Sequence, residues 1–279
     1  MENLKITNHV RSTSLPTATH PLIASAEENL QRLKSSEGTS TSSHSTICQR
    51  LDGLIKLYEC VDDVLRLQLS EQVLSNEKHA KSLEQVSNGS LKVLDTCNII
   101  KDAFSQMKES VQLLEIQVTD EINAYMSSNK KTKEMINRCF RDLKNTEKND
   151  TIVIENTDVA SLISLIEGAE DISLSVLEST LSFVFHRKMR SKANCRSLIS
   201  KLLKSKRVSC EGADISEVEK IDKELLLLQS KQTDHSHIQD ILKRLATFES
   251  SIQELEHGLE AVFRHLIKIR VSLLNILNH

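Results

Sequence analysis

The sequence predicts an all-α protein, an elongated bundle of long antiparallel helices with a long C-terminal helix and a disordered N-terminal tail. Three observations carry this. Twelve apolar residues recur at alternating spacings of three and four from Ile238 to Ile276 without a break, the period of one stripe along a helix. Proline occurs only at Pro16 and Pro21, and glycine six times in 279 residues, so the punctuation of sheet turns and phosphate loops is missing. No stretch alternates apolar and polar residues as a half-buried strand does; residues 151–154 form the one β-branched run, and it is short.

Residues 1–46 are read as the tail, and 47–279 as the bundle domain. Within the tail, Pro21 suits a first helical position, and Leu22, Ala26, Leu30 and Leu33 follow at helical spacing. Nine of the twelve residues 35–46 are Ser or Thr, too little apolar surface to fold, and read as a flexible tether. Thr46 and Gln49 make a candidate capping box for a helix carrying Ile47, Leu51, Leu54, Tyr58, Val61 and Leu65. The pattern blurs over 68–76, read as a turn.

A second sustained stripe then runs from Leu83 through Val93, Cys97, Phe104 and Leu114 to Val118, with Gly89 as a candidate kink. It continues less cleanly to Leu143 beside a basic face of Lys130, Lys131, Lys133, Arg138, Arg141 and Lys144. Asp158 is a plausible cap for a helix bearing Val159, Leu162, Ile166, Leu177 and Val184. A basic crossover, 187–215, precedes a candidate capping box at Ser216 and Glu219, and another stands at Ser236 and Gln239 where the terminal helix should begin. Residues 230–235 are the expected turn between these last two helices.

The terminal helix would be about 60 Å long and needs a partner of similar length. The helix over 83–118 is the expected one, and a second copy, giving an oligomer, is the alternative. Phe263, Ile267, Leu274 and Leu277 widen its apolar arc toward the C-terminus, which suits a helix with two or more neighbours.

Composition narrows the function classes. The net charge of −3 creates no field that attracts nucleic acid, and six Phe, two Tyr and no Trp leave little for base stacking. The six cysteines contain no CxxC pair, which points to a reducing compartment, with Cys97 a small buried residue on a helical stripe. No run of eighteen apolar residues exists, so a membrane span is excluded. There is no signal-peptide apolar region. Residues 3–26 are free of acid and rich in hydroxyls, as in a plastid or other organelle transit peptide, but Glu2 and the scarcity of arginine count against that. The cytoplasm is the expected location, with association at a membrane surface as the alternative.

No catalytic, cofactor-binding or metal-binding residues are expected, and no enzyme. His235 and His237 read as solvated turn residues without further ligands at finger spacing. The adjacent pairs Glu27 and Glu28, Asp62 and Asp63, and Glu170 and Asp171 point about 100° apart on a helix and read as solvated faces.

The sharpest local feature is the segment 187–207, with nine Lys or Arg and no acid. Leu198, Ile199, Leu202 and Leu203 share one helical face, ringed by Lys201, Lys204, Lys206 and Arg207. Those four cations are candidate contacts for an anionic membrane or a calmodulin-like protein partner. Ser209 is a candidate phosphosite whose added charge would weaken lipid binding. The plainer alternative is an exposed basic crossover whose leucines pack on the core.

Several stretches stand out together: Arg11-Ser-Thr-Ser-Leu-Pro with His20-Pro21, Glu27-Glu-Asn-Leu, Gly89-Ser-Leu-Lys-Val-Leu-Asp and Lys101-Asp-Ala-Phe-Ser-Gln-Met-Lys-Glu. With them go Val176-Leu-Glu-Ser, Ser200-Lys-Leu-Leu, Lys206-Arg-Val-Ser-Cys and the ending Arg270-Val-Ser-Leu-Leu-Asn-Ile-Leu-Asn-His. In this collinear order they resemble a plant-specific family of unknown biochemical function, the BYPASS-related proteins. The resemblance implies a role in plant root and shoot development through control of a root-derived signal. It supplies no catalytic or ligand residues. One departure is Asn194-Cys-Arg before Ser197, where relatives would carry a tryptophan. The function expected is therefore a non-enzymatic interaction protein, with a peripheral membrane protein as the alternative and an enzyme of unknown chemistry as a third, weaker one.

Overall fold

The computed structural model describes residues 20–36, 43–116, 121–144, 157–185, 217–230 and 235–278. Every element among them is helical: α1 (Pro21–Ser35), α2 (His44–Leu65), α3 (Gln68–Leu74), a 3-10 turn (Glu77–His79), α4 (Ala80–Ile116), α5 (Ile122–Lys144), α6 (Thr157–Phe185), α7 (Glu217–Ser230) and α8 (His235–Leu277). With 37 and 43 residues, α4 and α8 extend about 55 and 65 Å.

These two long helices are shared by two four-helix sets. In the first, α2, α8, α4 and α6 close a ring, each packing on the next. The side-chain pairs give the directions. α4 runs antiparallel to α8, since Lys101 and Lys108 pair with Glu260 and Glu256 and Arg270 donates to the Ser87 carbonyl. α2 is antiparallel to α6, where Tyr58 meets Ser173 and Arg50 meets Ser179. Within this antiparallel frame α2 lies parallel to α8, as His44 near Glu254 and Asp62 near Ser272 show.

Toward the N-terminal end of α8, α5 and α7 replace α2 and α6 to close a second ring with α4 and α8. Ser110 bonds Ser128, Asn129 and Lys133 reach Asp222, and Arg244 pairs with Glu224. α1 lies across α2 and α6, burying Ala26, Leu30 and Leu33.

The sequence patterns translate directly into the core. Eleven of the twelve terminal stripe residues are buried and Ile238 is half-buried. On α4, Leu83, Val86, Val93, Cys97, Ile100, Phe104, Met107, Val111 and Leu114 are all buried. Gly258 admits α2 to close range, because a Cβ there would stand 3.0 Å from Leu51 Cδ1.

Several boundaries differ from the expectation. The supposed turn over 68–76 contains α3, whose Leu74 is fully buried. α2 is capped by Ser43, whose Oγ accepts from the Thr46 amide at 3.2 Å, so Thr46 lies inside the helix and caps nothing. α4 passes through Gly89 unbroken. It ends at Ile116, and the pattern that continued to Leu143 is a second helix folded back on the first. Ile122, Tyr125, Asn129, Thr132, Ile136 and Cys139 keep nearly the same spacing beyond the connection, which has no Gly or Pro. Periodicity alone therefore reads through the reversal.

α6 opens at Thr157 and α8 at His235, which places Asp158 and Ser236 inside their first turns rather than at caps. α7 opens at Glu217, as a cap at Ser216 requires. Ser216 itself, the tail residues 1–19, the tether residues 37–42, the turn residues 231–234 and the basic crossover 187–215 lie outside the described residues.

The expected widening of the α8 stripe has a different outcome on each flank. Phe263 is half-buried with the Lys101 ammonium 4.7 Å above its ring. Ile267 and Leu274 are exposed. Replacing the fully buried Leu259 by Ala is expected to cost about 2–5 kcal/mol, whereas Leu274→Ala should cost less than about 1 kcal/mol. Urea denaturation of the two variants checks this, and equal losses would place the stripe wrongly.

Candidate functional site

Lys201, Lys204, Lys206, Arg207 and Ser209, singled out by the sequence, all lie outside the described residues, between the end of α6 at Phe185 and the start of α7 at Glu217. Among the described residues three other places combine chemistry with an unusual setting.

The first is a polar seam inside the first ring. Glu170 on α6 is 8% exposed, not on a solvated face as its pairing with Asp171 suggested. It fits because α4 has Gly89 there; a Cβ would come within 2.6 Å of the Glu170 carboxyl carbon. Ser90 Oγ bonds Glu170 Oε1 at 2.6 Å and the Val86 carbonyl at 3.1 Å. Burial pushes the Glu170 carboxyl up to about 8, aided by the nearby Glu167 and Asp171 charges and opposed by the Ser90 bond. The single Ser90 hydroxyl proton has two acceptors in reach, the Glu170 carboxyl and the Val86 carbonyl.

One turn on, Tyr58 donates to Ser173 Oγ at 2.7 Å, and Ser173 donates to the Ala169 carbonyl at 2.6 Å. Burial holds the Tyr58 phenol far above its usual range. Buried Arg50 donates to Ser179 Oγ at 2.8 Å. Asp62 departs from the solvated reading as well: it is buried beside Arg66 at 2.8 Å, whereas Asp63, Glu27, Glu28 and Asp171 are exposed as expected.

The second place is the start of α2. His44 and Cys48, one turn apart, face Glu254 of α8, and one donor atom from each lies within 4.8 Å of the others. Burial first, then the Glu254 and Asp52 charges, push the Cys48 thiol above its ordinary value, so it is not poised as a nucleophile. The Phe183 ring lies 6.0 Å from the His44 ring and tilted against it. Neither residue carried a sequence signal beyond the i, i+4 spacing of His44 and Cys48. His235 and His237, the pair considered from sequence, lie in the first turn of α8, and His237 is half-buried.

The third is a groove of about 610 Å³ between the α2–α3 corner and the C-terminal part of α8, lined by Leu65, Arg66, Gln72, Ile267, Val271 and Ile276 among others. Ile267, Val271 and Leu274 are 42%, 50% and 39% exposed. Their spacing of four and three makes them a continuous apolar strip. No helix of the described residues is long and apolar enough to cross a membrane.

A family model described as Protein BPS1 matches residues 50–276, most of the helical bundle. No curated protein and no solved structure matches the chain.

The buried acid has a measurable signature. A glutamate ordinarily titrates at 4.5, and Glu170 in the fold at about 8. The native state keeps a proton that the unfolded chain releases between those values. Its stabilising contribution is full below the unfolded pKa and is lost as pH rises through the folded one. Glu170→Gln is expected to flatten the decline in stability above pH ~5, and to exceed the native protein by at least about 1 kcal/mol at pH ~9. Urea unfolding across pH reads this out; parallel profiles for the two proteins would refute it.

Proposed function

The chain belongs to the BPS1 family, and from that premise we propose that it acts in plant root and shoot development as a non-enzymatic interaction protein. The observation that carries the reading is the exposed strip Ile267, Val271 and Leu274 beside the groove at the C-terminal end of α8. A contiguous apolar strip on the longest helix of a bundle suits the apolar face of a partner helix. The polar rim of Arg66, Glu71 and Lys268 around it would orient such a helix.

The buried chemistry supports a binding role over a catalytic one. Glu170 is enclosed by α4 and α6 and bonded to Ser90. The Cys48 thiol, close to a histidine, has its pKa pushed up by burial and by the Glu254 and Asp52 charges. Most of the length of α4 and α8 goes into buried apolar stripes.

Ile267→Asp combined with Val271→Asp tests the groove. Both side chains are exposed, so unfolding stability should change by less than about 1 kcal/mol. The variant is expected not to restore development in a plant lacking this protein; full restoration would discard the groove.

A second reading keeps the membrane surface, on the strength of the nine cations of 187–207. Flotation with anionic liposomes should be salt-sensitive and lost when Lys201, Lys204, Lys206 and Arg207 become Glu. Absence of flotation at low salt removes that reading.

A further inference from the structure

Away from the groove, the opening turn of α2 meets α8 in a set of donor atoms that the proposed function does not use. His44 is the first residue of α2, directly after the Ser43 cap, and Cys48 follows four residues later. Four residues is one helical turn, so both side chains project from the same face. α8 runs alongside and supplies Glu254. The result is an imidazole, a thiol and a carboxylate from two helices, converging at the surface end of a packed seam.

Three neighbours crowd one ring nitrogen. His44 Nε2 lies 3.6 Å from Cys48 Sγ, 3.6 Å from Glu254 Oε2 and 3.2 Å from the Ser251 carbonyl oxygen. A ring nitrogen carries at most one proton, and that proton can serve one of these three neighbours. All three neighbours are electron-pair donors. Zinc bonds nitrogen and oxygen at about 2.0 Å and sulfur at about 2.3 Å, so two ligands of one tetrahedral ion stand about 3.3–3.6 Å apart. The nitrogen–sulfur and nitrogen–oxygen separations already have that size.

We infer that His44, Cys48 and Glu254 form a binding site for a divalent cation of the zinc class, which ties the first turn of α2 to α8. The fourth position falls to water or to the Ser251 carbonyl. A mixed nitrogen, sulfur and oxygen set selects this class: calcium and magnesium take oxygen ligands, whereas thiolate with imidazole suits zinc. On binding, the Cys48 Sγ–H bond gives its proton to solvent and the thiolate pair goes to the metal, with no redox step.

The surroundings suit a site loaded from solvent. The Glu254 side chain is 62% exposed and that of His44 26%, so an ion reaches them without opening the core. The Phe183 ring, 6.0 Å away and tilted, flanks the imidazole. Asp52, one turn beyond Cys48, adds negative charge at the same end of the helix. A bound ion would cross-link α2 and α8 where α6 ends, and would therefore stabilise the folded chain by mass action.

The test uses untagged full-length protein, reduced and free of oxygen, titrated with Co²⁺ as a coloured stand-in for zinc and then with Zn²⁺. The expected result is one Co²⁺ per chain with a thiolate-to-cobalt charge-transfer band that Zn²⁺ abolishes. Saturation should raise the thermal midpoint. Cys48→Ser should remove the band, Glu254→Gln should weaken binding at least about tenfold, and Cys60→Ser, on the same helix but outside the set, should change neither. Circular dichroism of each variant confirms that it is folded. Absence of the band in folded native protein, or a band of equal strength in Cys48→Ser, overturns the site.

Discussion

The constraint on which everything else depends is the length of the apolar stripe on α8. Eleven buried side chains spread along 43 residues have to be kept from water. Each is worth about 1.5–3 kcal/mol when fully buried. α4, with 37 residues, is the one described helix of comparable length, and a single neighbour covers only one side of a stripe. The remaining helices therefore divide the work. α2 and α6 complete the wall at one end, α5 and α7 at the other, and the long pair runs through both sets. A protein of this length would otherwise form two small bundles. Here the shared spine makes two bundles into one object.

Apolar seams of this kind leave register poorly determined, because a stripe displaced by one helical turn meets a similar stripe. The polar groups inside the first ring discriminate between such registers. Glu170 has room only opposite Gly89 and a partner only at Ser90. Tyr58 reaches Ser173 and Arg50 reaches Ser179, eight residues apart on α2 and six on α6. A slip by one turn would leave a buried acid against a side chain, and would set Ala169 or Leu177 opposite Tyr58 in place of Ser173. Either costs more than the apolar contacts could return. The seam along the outer face of α4 does the same work with half-buried charges, Lys101 and Lys108 meeting Glu260 and Glu256. Because those pairs are partly solvated, they align the helices more than they stabilise them.

The surface carries two different kinds of unfinished business. At the C-terminal end of α8 it is apolar, an open strip beside a groove. At the N-terminal end of α2 it is polar, a convergence of electron-pair donors around one imidazole. The two sites are on opposite ends of the α2–α8 contact, so occupation of one need not block the other. Both depend on the parallel course of α2 and α8, which brings the start of α2 to Glu254 and its end to Ser272.

Local pattern was enough to determine the helical class, the stripes of α4 and α8, the start of α1 at Pro21 and the burial of Cys97. These features repeat every three or four residues, and the hydrophobic period registers such repeats wherever they occur. The reversal after Ile116 escaped because α5 keeps the spacing of α4 through a connection without Gly or Pro. Glu170 escaped because a carboxylate beside an aspartate looks solvated until a glycine 81 positions away, Gly89, is found to make room for it. His44 and Glu254 carried no joint signal at all, since residues on separate helices become neighbours only when the helices are aligned. Sequence alone decided which faces had to be hidden, because burial of apolar surface is a property of each helix by itself. Tertiary structure alone decided which polar groups meet, because that depends on the direction and register of packing, and no single helix contains that information.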